Sequence, residues 1–160
     1  MQNDAFYDSP LGRIRMTAEG DALIALRFDG EDKDLLVSEQ TGPATTETAR
    51  WLDAYFRGEK PADPPKIRLN GTPFRLDVWA LLRSIPYGKT VSYGEIADML
   101  RAKGYARVSA RAVGNAVAHN PVLLIVPCHR VIGADGKLTG YAGGTDRKKK
   151  LLELEQKNGK

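Results

Sequence analysis

Cysteine and histidine are the scarcest reactive residues in this 160-residue sequence, which contains one cysteine, Cys128, and two histidines, His119 and His129. A single cysteine excludes an internal disulfide and any metal site built from several cysteines. Two histidines are too few for a metal centre held mainly by imidazoles, so we expect no bound metal. Any chemistry at a thiol must therefore use Cys128.

Long hydrophobic runs are missing as well. No stretch approaches the ~20 apolar residues that a membrane-spanning helix needs, and we find no secretory signal peptide. Apolar residues nevertheless make up 42% of the sequence, which suffices for one or two small packed domains. We expect a soluble, cytoplasmic protein that does not bind a membrane.

Charge is distributed unevenly along the chain, behind a net value of +4. Residues 1–65 contain 7 Lys and Arg against 13 Asp and Glu, a net charge of −6. Residues 66–160 contain 17 against 7, a net charge of +10. A basic half beside an acidic one favours a polyanionic partner, with a merely solvated basic face as the alternative. Charge alone does not distinguish nucleic acid from an acidic protein.

The first candidate for chemistry is the segment Pro127-Cys128-His129-Arg130. It follows the most apolar run, Val122 to Val126, which predicts a strand that ends at the proline. A lone cysteine here is either a small buried residue without chemistry or a nucleophile. A nucleophile needs a base and positive charge nearby, because a free thiol with a pKa of about 8.5 is only slightly ionised at pH 7. His129 and Arg130 could supply them.

A base adjacent to its nucleophile poses a geometric problem. Neighbouring side chains on an extended backbone point to opposite faces, so Cys128 and His129 would meet only across a turn or through water. The base also needs an orienting partner, which the tetrapeptide lacks.

Glu155 is the candidate for that partner. We expect Thr145 to cap the last helix, on which Glu155 lies between Leu151 and Leu152 in azimuth. Because those leucines must face the core, the carboxylate of Glu155 is directed inward or along the rim of a cleft. A buried carboxylate needs a partner, which is either His129 or a nearby Lys or Arg.

The remaining patterns predict a scaffold followed by a helical region. Alternation from Phe6 to Phe28 predicts β-strands with a turn at Glu19-Gly20-Asp21, and a helix follows from Thr45 or Thr46 to about Arg57. The proline-rich stretch from Lys60 to Lys66 predicts a linker. We place the domains at residues 1–65 and 66–160.

Three N-cap signals organise the second part. Thr72, Ser92 and Ser109 each precede a helical pattern, and Ser92 forms a capping box with Glu95. The last two helices are short and consecutive, which favours a helix-turn-helix, although such a pair can also be only a packing unit. The helix after Ser109 carries small residues, from which a single long cation, Arg111, projects.

These motifs together resemble the O6-alkylguanine-DNA alkyltransferases, also called methylated-DNA–protein-cysteine methyltransferases. The resemblance covers more than half the chain, from Thr72 to about Glu155, and the PCHR motif is highly specific. It rests on TPF…VW at 72–79, IPYGKTVSYGEIA at 85–97, ARAVGNA at 110–116, NPVLLIVPCHRVIG at 120–133 and GYAGG at 140–144.

The resemblance implies an α/β protein with an N-terminal ribonuclease-H-like α/β domain and a mostly helical C-terminal domain. The latter would hold the helix-turn-helix and a short active-site sheet. It also implies a suicide DNA-repair protein, for which we expect a monomer without a cofactor. Some relatives bind zinc in the N-terminal domain, but this chain lacks the cysteines for that site. Its partner would be double-stranded DNA carrying alkylated bases. The protein would therefore be found in the cytoplasm at the nucleoid, or in a nucleus.

Residue by residue, the resemblance implies the following roles. Cys128 accepts an alkyl group from O6 of guanine, or less readily O4 of thymine, after activation through water by His129, which Glu155 orients. Tyr93 acts at a DNA phosphate and in protonating the leaving purine, and Asn120 holds the turn before the active-site strand. Arg111 fills the gap left by the flipped nucleotide, from a helix surface formed by Ala110, Ala112 and Gly114. Tyr141, Val131 and Gly143 form the pocket for the base.

One feature departs from the family pattern. The spacing from Tyr93 to Arg111 is longer than usual, and the extra residues fall in the connection Arg101 to Val108. Its cations, Arg101, Lys103 and Arg107, either contact DNA phosphates or lie on a solvated loop.

Two other functions compete with alkyl transfer. The first is a non-enzymatic helix-turn-helix module with an inert cysteine. The second is a cysteine hydrolase that uses Cys128, His129 and Glu155. The adjacency of Cys128 and His129 disfavours it, because the catalytic cysteine and histidine of such enzymes usually come from separate segments.

Overall fold

The chain forms two compact units, Met1–Leu69 and Asn70–Lys160. The computed structural model describes residues 2–28, 41–60, 63–138 and 140–159. The α/β class predicted from the sequence is confirmed: the first unit carries an antiparallel sheet and the second is mostly helical, with a short parallel sheet.

The first unit is built on three antiparallel strands, β1 (Gln2–Ser9), β2 (Gly12–Glu19) and β3 (Ala22–Phe28), with β2 in the middle. The alternation predicted for strands places Ile14 and Met16 in the core, both at most 2% exposed. The predicted turn before β3 is present, and Gly20 supplies its left-handed backbone, with φ 62°.

Helix α1 (Pro43–Phe56) packs on all three strands. It begins before the predicted Thr45, because Gly42 occupies the N-cap position and donates its N–H to the Thr45 hydroxyl over 2.8 Å. Helix α1 buries Trp51 and Leu52 against the sheet, and Tyr55 stacks on Trp51.

The stretch after the prolines also belongs to this unit, although residues 61 and 62 of the predicted linker lie outside the described part. The Leu23 N–H donates to the Lys66 carbonyl over 2.8 Å, and the Arg68 N–H donates to the Leu23 carbonyl over 2.9 Å. These bonds attach residues 66–68 to strand β3.

The second unit contains four helices and two very short strands among its described residues. In chain order these are α2 (Pro73–Arg83), β4 (Val91–Ser92), α3 (Tyr93–Ala102), α4 (Ala110–Ala118), β5 (Val131–Ile132) and α5 (Thr145–Asn158). The predicted caps at Thr72, Ser92 and Ser109 are confirmed, since each hydroxyl accepts the N–H three residues later. Helices α3 and α4 pack against each other and against α2, and the Trp79 indole N–H bonds the Ala116 carbonyl over 2.8 Å.

The strand predicted over residues 122–126 is wrong. The Val126 N–H donates to the Val122 carbonyl over 3.1 Å, and Leu124 has a left-handed backbone with φ 70°, so this run is a compact loop. Its five side chains are all buried, which explains its apolar composition without a sheet. The short sheet next to the tetrapeptide is formed instead by β4 and β5, paired in parallel with Val91 opposite Val131.

The predicted cap of α5 is also wrong by one residue. Gly144, not Thr145, is the N-cap residue, and its carbonyl accepts the Lys148 N–H over 3.0 Å. Gly144 has φ 95°, a left-handed conformation that favours glycine over a β-branched threonine.

Candidate active site

Cys128 begins a one-turn 3-10 helix, Cys128–Arg130, that directly follows Pro127. The Cys128 N–H donates to the Val126 carbonyl over 2.8 Å, and the Arg130 N–H donates to the Pro127 carbonyl over 3.0 Å. The backbone is therefore tightly turned rather than extended, so the tetrapeptide does not follow the alternation of a strand. Cys128 is only 3% exposed.

Asn120 fixes the loop that leads to Cys128. Its amide Nδ2 donates to the Val126 carbonyl over 2.7 Å, and its Oδ1 accepts the Val122 N–H over 3.0 Å. The side chain therefore joins both ends of the loop. Asn120 can thus hold the backbone that carries the candidate nucleophile, and its amide also lowers the pKa of the thiol.

Glu155 is the centre of a buried cluster of charged side chains. One carboxylate oxygen lies 2.5 Å from His129 Nε2, and the other accepts the Arg130 Nε–H over 2.7 Å. Arg130 adds a second bond to Glu155 over 3.1 Å and donates to the Ile85 carbonyl over 2.8 Å. The Gly88 N–H also donates to Glu155, over 3.3 Å. The two partners considered for Glu155, His129 and an arginine, are therefore both present.

The protonation states in this cluster follow from burial and charge. Burial raises the pKa of Glu155, but the hydrogen bonds from His129 and Arg130 and the positive charge of Arg130 outweigh it and lower the pKa from 4.5 to about 2. Burial lowers the pKa of His129 below 6.5 in spite of the neighbouring carboxylate. Neutral His129 thus donates its Nε2–H to an ionised Glu155, and Nδ1 keeps the lone pair of a base.

The thiol itself is harder to ionise than the sequence indicated. Burial raises the pKa of Cys128 from 9.0 to about 11, opposed by the hydrogen bond from Asn120 and the positive charge of Lys148. The expectation that Arg130 favours the thiolate is not met, because its guanidinium is committed to the Glu155 carboxylate. Arg130 holds the orienting carboxylate instead.

Two tyrosines lie in the segments around this site. Tyr141 is buried, its ring centroid lies 6.4 Å from that of His129, and burial followed by the Cys128 charge raises its pKa. Tyr93 opens helix α3, and its hydroxyl lies beside Gly140, where an added Cβ would be 3.5 Å away. Val131 and Gly143 are buried in the segments that flank this region.

The exposed side of α4 presents small residues and one cation. Ala110 and Arg111 are exposed and Ala112 is half-buried. Gly114 is half-buried and has no heavy atom within 4 Å of the position of an added Cβ. A flat partner could therefore approach this helix backbone closely, with Arg111 as its one long projection.

The enlarged turn differs from its prediction at one end. Arg101 lies within α3, which extends to Ala102, and not in the connection. Its side chain bonds Asp98 over 2.7 Å and the Val108 carbonyl over 3.1 Å. The turn is held down by Tyr105, whose hydroxyl bonds Asp77 over 2.5 Å and whose ring meets Phe74 edge-on. Of the three cations considered, Lys103 and Arg107 remain exposed in the connection itself.

Two further features concern only the part of the chain that the structure describes. No group of three or more His, Cys, Asp and Glu side chains is placed there to hold a metal ion. None of its helices combines the length and the apolar character needed to cross a membrane.

Comparison with known families identifies this arrangement. The family model for the DNA-binding domain of 6-O-methylguanine DNA methyltransferase matches residues 73–157, and that for its ribonuclease-like domain matches residues 4–63. This chain belongs to the 6-O-methylguanine DNA methyltransferase family. The resemblance inferred from the motifs is confirmed, and the N-terminal unit corresponds to the family's ribonuclease-like domain.

Individual members of the family are similar over nearly the whole chain. A Mycobacterium tuberculosis methylated-DNA–protein-cysteine methyltransferase is 47% identical over 151 residues, 93% of this chain and 89% of that protein. A Methanosarcina acetivorans protein of the same name is 44% identical over 154 residues, 94% of this chain and 96% of that protein. The crystal structure of M. tuberculosis OGT in complex with DNA superposes with a TM-score of 0.84 at 46% identity, covering 97% of this chain and 93% of that one.

The structure thus brings together most of the residues singled out in the sequence, but it adds one that was missed. Lys148 stands in the basic run at residues 147–150, yet it is 0% exposed and lies near Cys128 and Tyr93. Lys148 precedes Glu155 by seven residues, or about two helical turns, so both lie on the same face of the helix. This spacing was the signal in the sequence that could have identified Lys148.

Proposed function

We propose that this protein repairs DNA by transferring the alkyl group of O6-alkylguanine, and of O4-alkylthymine, irreversibly to Cys128. The proposed activity is that of a methylated-DNA–protein-cysteine methyltransferase, the name given to its relatives from M. tuberculosis and M. acetivorans. The observation that supports it best is the buried thiol of Cys128, which is followed directly in the sequence by His129. The Nε2 atom of that histidine is held by the ionised carboxylate of Glu155. Such an assembly generates a thiolate inside a protected site.

The chemical step is a single displacement at carbon. The Cys128 proton passes through a water molecule to His129 Nδ1, and the thiolate attacks the alkyl carbon on the guanine oxygen. The S–C bond forms as the C–O bond breaks, and the bonding electron pair moves into the purine, which then takes up a proton. The alkyl group passes directly from the base oxygen to the protein's own sulfur, so the step needs no cofactor. The thioether product is stable, so each molecule reacts once.

Asn120 and Tyr93 are proposed to support this step in different ways. Asn120 bonds both ends of the loop before Cys128, so it holds the backbone that presents the sulfur in a fixed direction. We assign Tyr93 to a DNA phosphate beside the lesion and to protonation of the leaving purine. We assign Tyr141, Val131 and Gly143 to the walls of the base pocket.

Access to the lesion requires the base to leave the helix. The reacting carbon is inaccessible in stacked DNA, and flipping a nucleotide costs a few kcal/mol. The open, small-residue side of α4 suits a minor-groove approach, and Arg111 can occupy the vacated space in the stack. Double-stranded DNA is therefore the proposed partner, bound mainly through its phosphates by the basic second unit.

One chain supplies the acceptor, the base and the orienting carboxylate, so we propose that a monomer suffices. The place of action is the compartment that contains DNA, the cytoplasm with its nucleoid or a nucleus.

Mass spectrometry after incubation with O6-methylguanine DNA tests the function. We expect the peptide that carries Cys128 to gain the mass of one CH2 group, stoichiometrically and once only. Unmodified DNA of the same sequence is the control. Absence of the adduct on folded protein would refute alkyl transfer and leave a binding module.

A prediction for Arg111 separates extrusion from chemistry. Arg111→Ala should slow repair of duplex DNA by about 10- to 100-fold, because the lost side chain no longer offsets a few kcal/mol of lost stacking. Single-turnover reaction with free O6-benzylguanine, which needs no flipping, should stay at the wild-type rate.

Arg107→Ala is the matched control, because it removes an exposed cation from the preceding connection without emptying the α4 surface. It should leave the duplex rate nearly unchanged. Equal slowing of Arg111→Ala with both substrates would contradict a role in extrusion.

A further inference from the structure

We propose that the turn at residues 85–88, between α2 and β4, positions the Glu155 carboxylate and through it the imidazole of His129, with Gly88 as the positioning residue. The proposal deepens the alkyl-transfer function and rests on it. The sequence IPYG of this turn entered the sequence analysis only as part of a longer motif, and no step of the proposed reaction uses it.

Two residues of the 85–88 turn contact Arg130, which holds one side of Glu155. The Ile85 carbonyl accepts a hydrogen bond from the Arg130 guanidinium over 2.8 Å. The central carbon of that guanidinium lies 5.6 Å from the centroid of the Tyr87 ring, within range of a cation–π interaction. Arg130 in turn bonds both carboxylate oxygens of Glu155. The first part of the turn therefore fixes the cation that fixes the carboxylate.

Gly88 contacts Glu155 directly. Its N–H donates to Oε1 of the carboxylate over 3.3 Å, and the same oxygen accepts the Arg130 Nε–H over 2.7 Å. The other oxygen, Oε2, accepts from His129 Nε2. Because Oε1 is held by a backbone donor and a guanidinium, the carboxylate cannot rotate freely, and Oε2 stays directed at the imidazole.

The backbone at Gly88 is suited only to glycine. Its φ of 80° lies in the left-handed region. A Cβ added here would lie 3.4 Å from the main-chain oxygen of Glu155 and 3.4 Å from Cα of Gly159. Both are backbone atoms, which cannot rotate away as the end of a flexible side chain can. Glycine therefore allows the turn to approach the end of α5 closely enough for its N–H to reach the carboxylate.

The place of Glu155 on its helix explains why such support is needed. Helix α5 ends at Asn158, so Glu155 lies in its last turn. The last turn of a helix frays most readily, and the negative end of the helix dipole disfavours a carboxylate there. The contact between Gly88 and Gly159 holds this end of α5 against the turn, so the group that orients His129 does not move with a fraying helix end.

Gly88→Val is the test variant, and Gly136→Val is its matched control. Gly88 has φ 80° and Gly136 has φ 82°, so a β-branched side chain strains both backbones alike. Their surroundings differ, because no heavy atom of the described residues lies within 4 Å of a Cβ added at Gly136. A difference between the two variants therefore reports the crowding between the 85–88 turn and α5.

The first readout is the tautomer of His129, which nuclear magnetic resonance of protein labelled with 15N-histidine measures without any reaction. The chain has two histidines, and the variant His119→Asn identifies the signals of the exposed one. Wild type and Gly136→Val should show His129 with its proton on Nε2, and Gly88→Val should show a mixture with the Nδ1–H form. The Nε2–H form alone in all three proteins would overturn the proposal.

The second readout is the single-turnover rate with free O6-benzylguanine. Gly88→Val should react about tenfold more slowly than the wild type, because the proton-transfer groups are displaced but not lost. Gly136→Val should react at nearly the wild-type rate. Gly88→Ala, whose side chain ends at the contact distance, should fall between. If Gly88→Val does not fold, Gly88→Ala is compared with Gly136→Ala by both readouts.

The double variant Gly88→Val, Glu155→Gln decides whether Gly88 acts through the carboxylate. If it does, the double variant should be no slower than Glu155→Gln alone, because the orienting charge is already lost. A general structural defect would slow it by a further factor of about ten, which would refute a positioning role. Failure of alkyl transfer itself is distinct, because the wild type would then form no benzyl adduct while the tautomer of His129 still responded to Gly88→Val.

Discussion

Replacing Cys128 by serine is expected to abolish alkyl transfer completely while leaving the affinity for duplex DNA almost unchanged. Cys128 is the only cysteine in the chain, so no second thiol can take over. A serine hydroxyl is far harder to ionise, and the site offers it no more help than it offers the thiol. The bonds from Asn120 to Val122 and Val126 do not involve the side chain of residue 128, so the loop should keep its shape.

DNA binding should survive because it depends on other residues. Phosphate contacts supply most of the affinity of a protein that scans DNA without sequence preference, and a side chain as buried as that of Cys128 is not available for such contacts. The measurement combines mass spectrometry after incubation with O6-methylguanine duplex and a binding titration at two salt concentrations. Stoichiometric adduct in the serine variant, on any residue, would disprove the assignment of the acceptor.

A matched variant guards against an indirect effect. Asn120→Ala keeps the thiol but removes the bonds to Val122 and Val126 that fix its loop. It should still form the alkyl adduct, only more slowly, whereas Cys128→Ser should form none.

The sequence predicted the chemical identity of the site better than its local structure. The PCHR motif, the capping serines and the inward azimuth of Glu155 each follow from short-range patterns, and the structure contains all three. The strand over residues 122–126 failed because a short apolar run reports burial and not conformation. The actual conformation depends on Asn120 and on the positive φ of Leu124, neither of which has a periodic signal.

The charges at the site were the least predictable feature. Sequence proximity placed Arg130 beside the thiol, but the fold directs its guanidinium to Glu155, which is 25 residues away. Lys148, twenty residues from Cys128, supplies positive charge instead. Which cation faces which anion is decided by tertiary packing, and a sequence that lists several lysines in succession does not show which one is buried.

Glu155→Gln should show the second large effect, on both catalysis and stability. The substitution keeps the shape of the side chain but removes the charge that accepts the His129 Nε2–H. Without it, the imidazole can take the wrong tautomer, and proton transfer from Cys128 is impaired. Loss of a positioned proton-transfer group typically costs about 10²–10⁴ in rate, which single-turnover reaction with O6-benzylguanine measures directly.

The same substitution leaves the guanidinium of Arg130 buried without its carboxylate. Breaking a buried ion pair from one side typically costs about 3–5 kcal/mol, so chemical denaturation should show a clear loss of unfolding free energy. Arg130→Met is the matched control: it disrupts the same pair but leaves the contact between His129 and Glu155. It should lose comparable stability and much less of its rate, and equal loss of rate in both variants would reduce Glu155 to a structural role.

The pH dependence of stability provides an independent check on Glu155. Its pKa is about 2 in the folded protein against an ordinary 4.5, so the unfolded state binds the proton more readily between these values. The stability that the carboxylate contributes is complete above about pH 4.5 and is lost as the pH falls towards 2. Protonated glutamate and glutamine are nearly equivalent, so the unfolding free energies of wild type and Glu155→Gln should converge over this range. A gap that stays constant down to pH 2 would show that folding does not lower the pKa of Glu155.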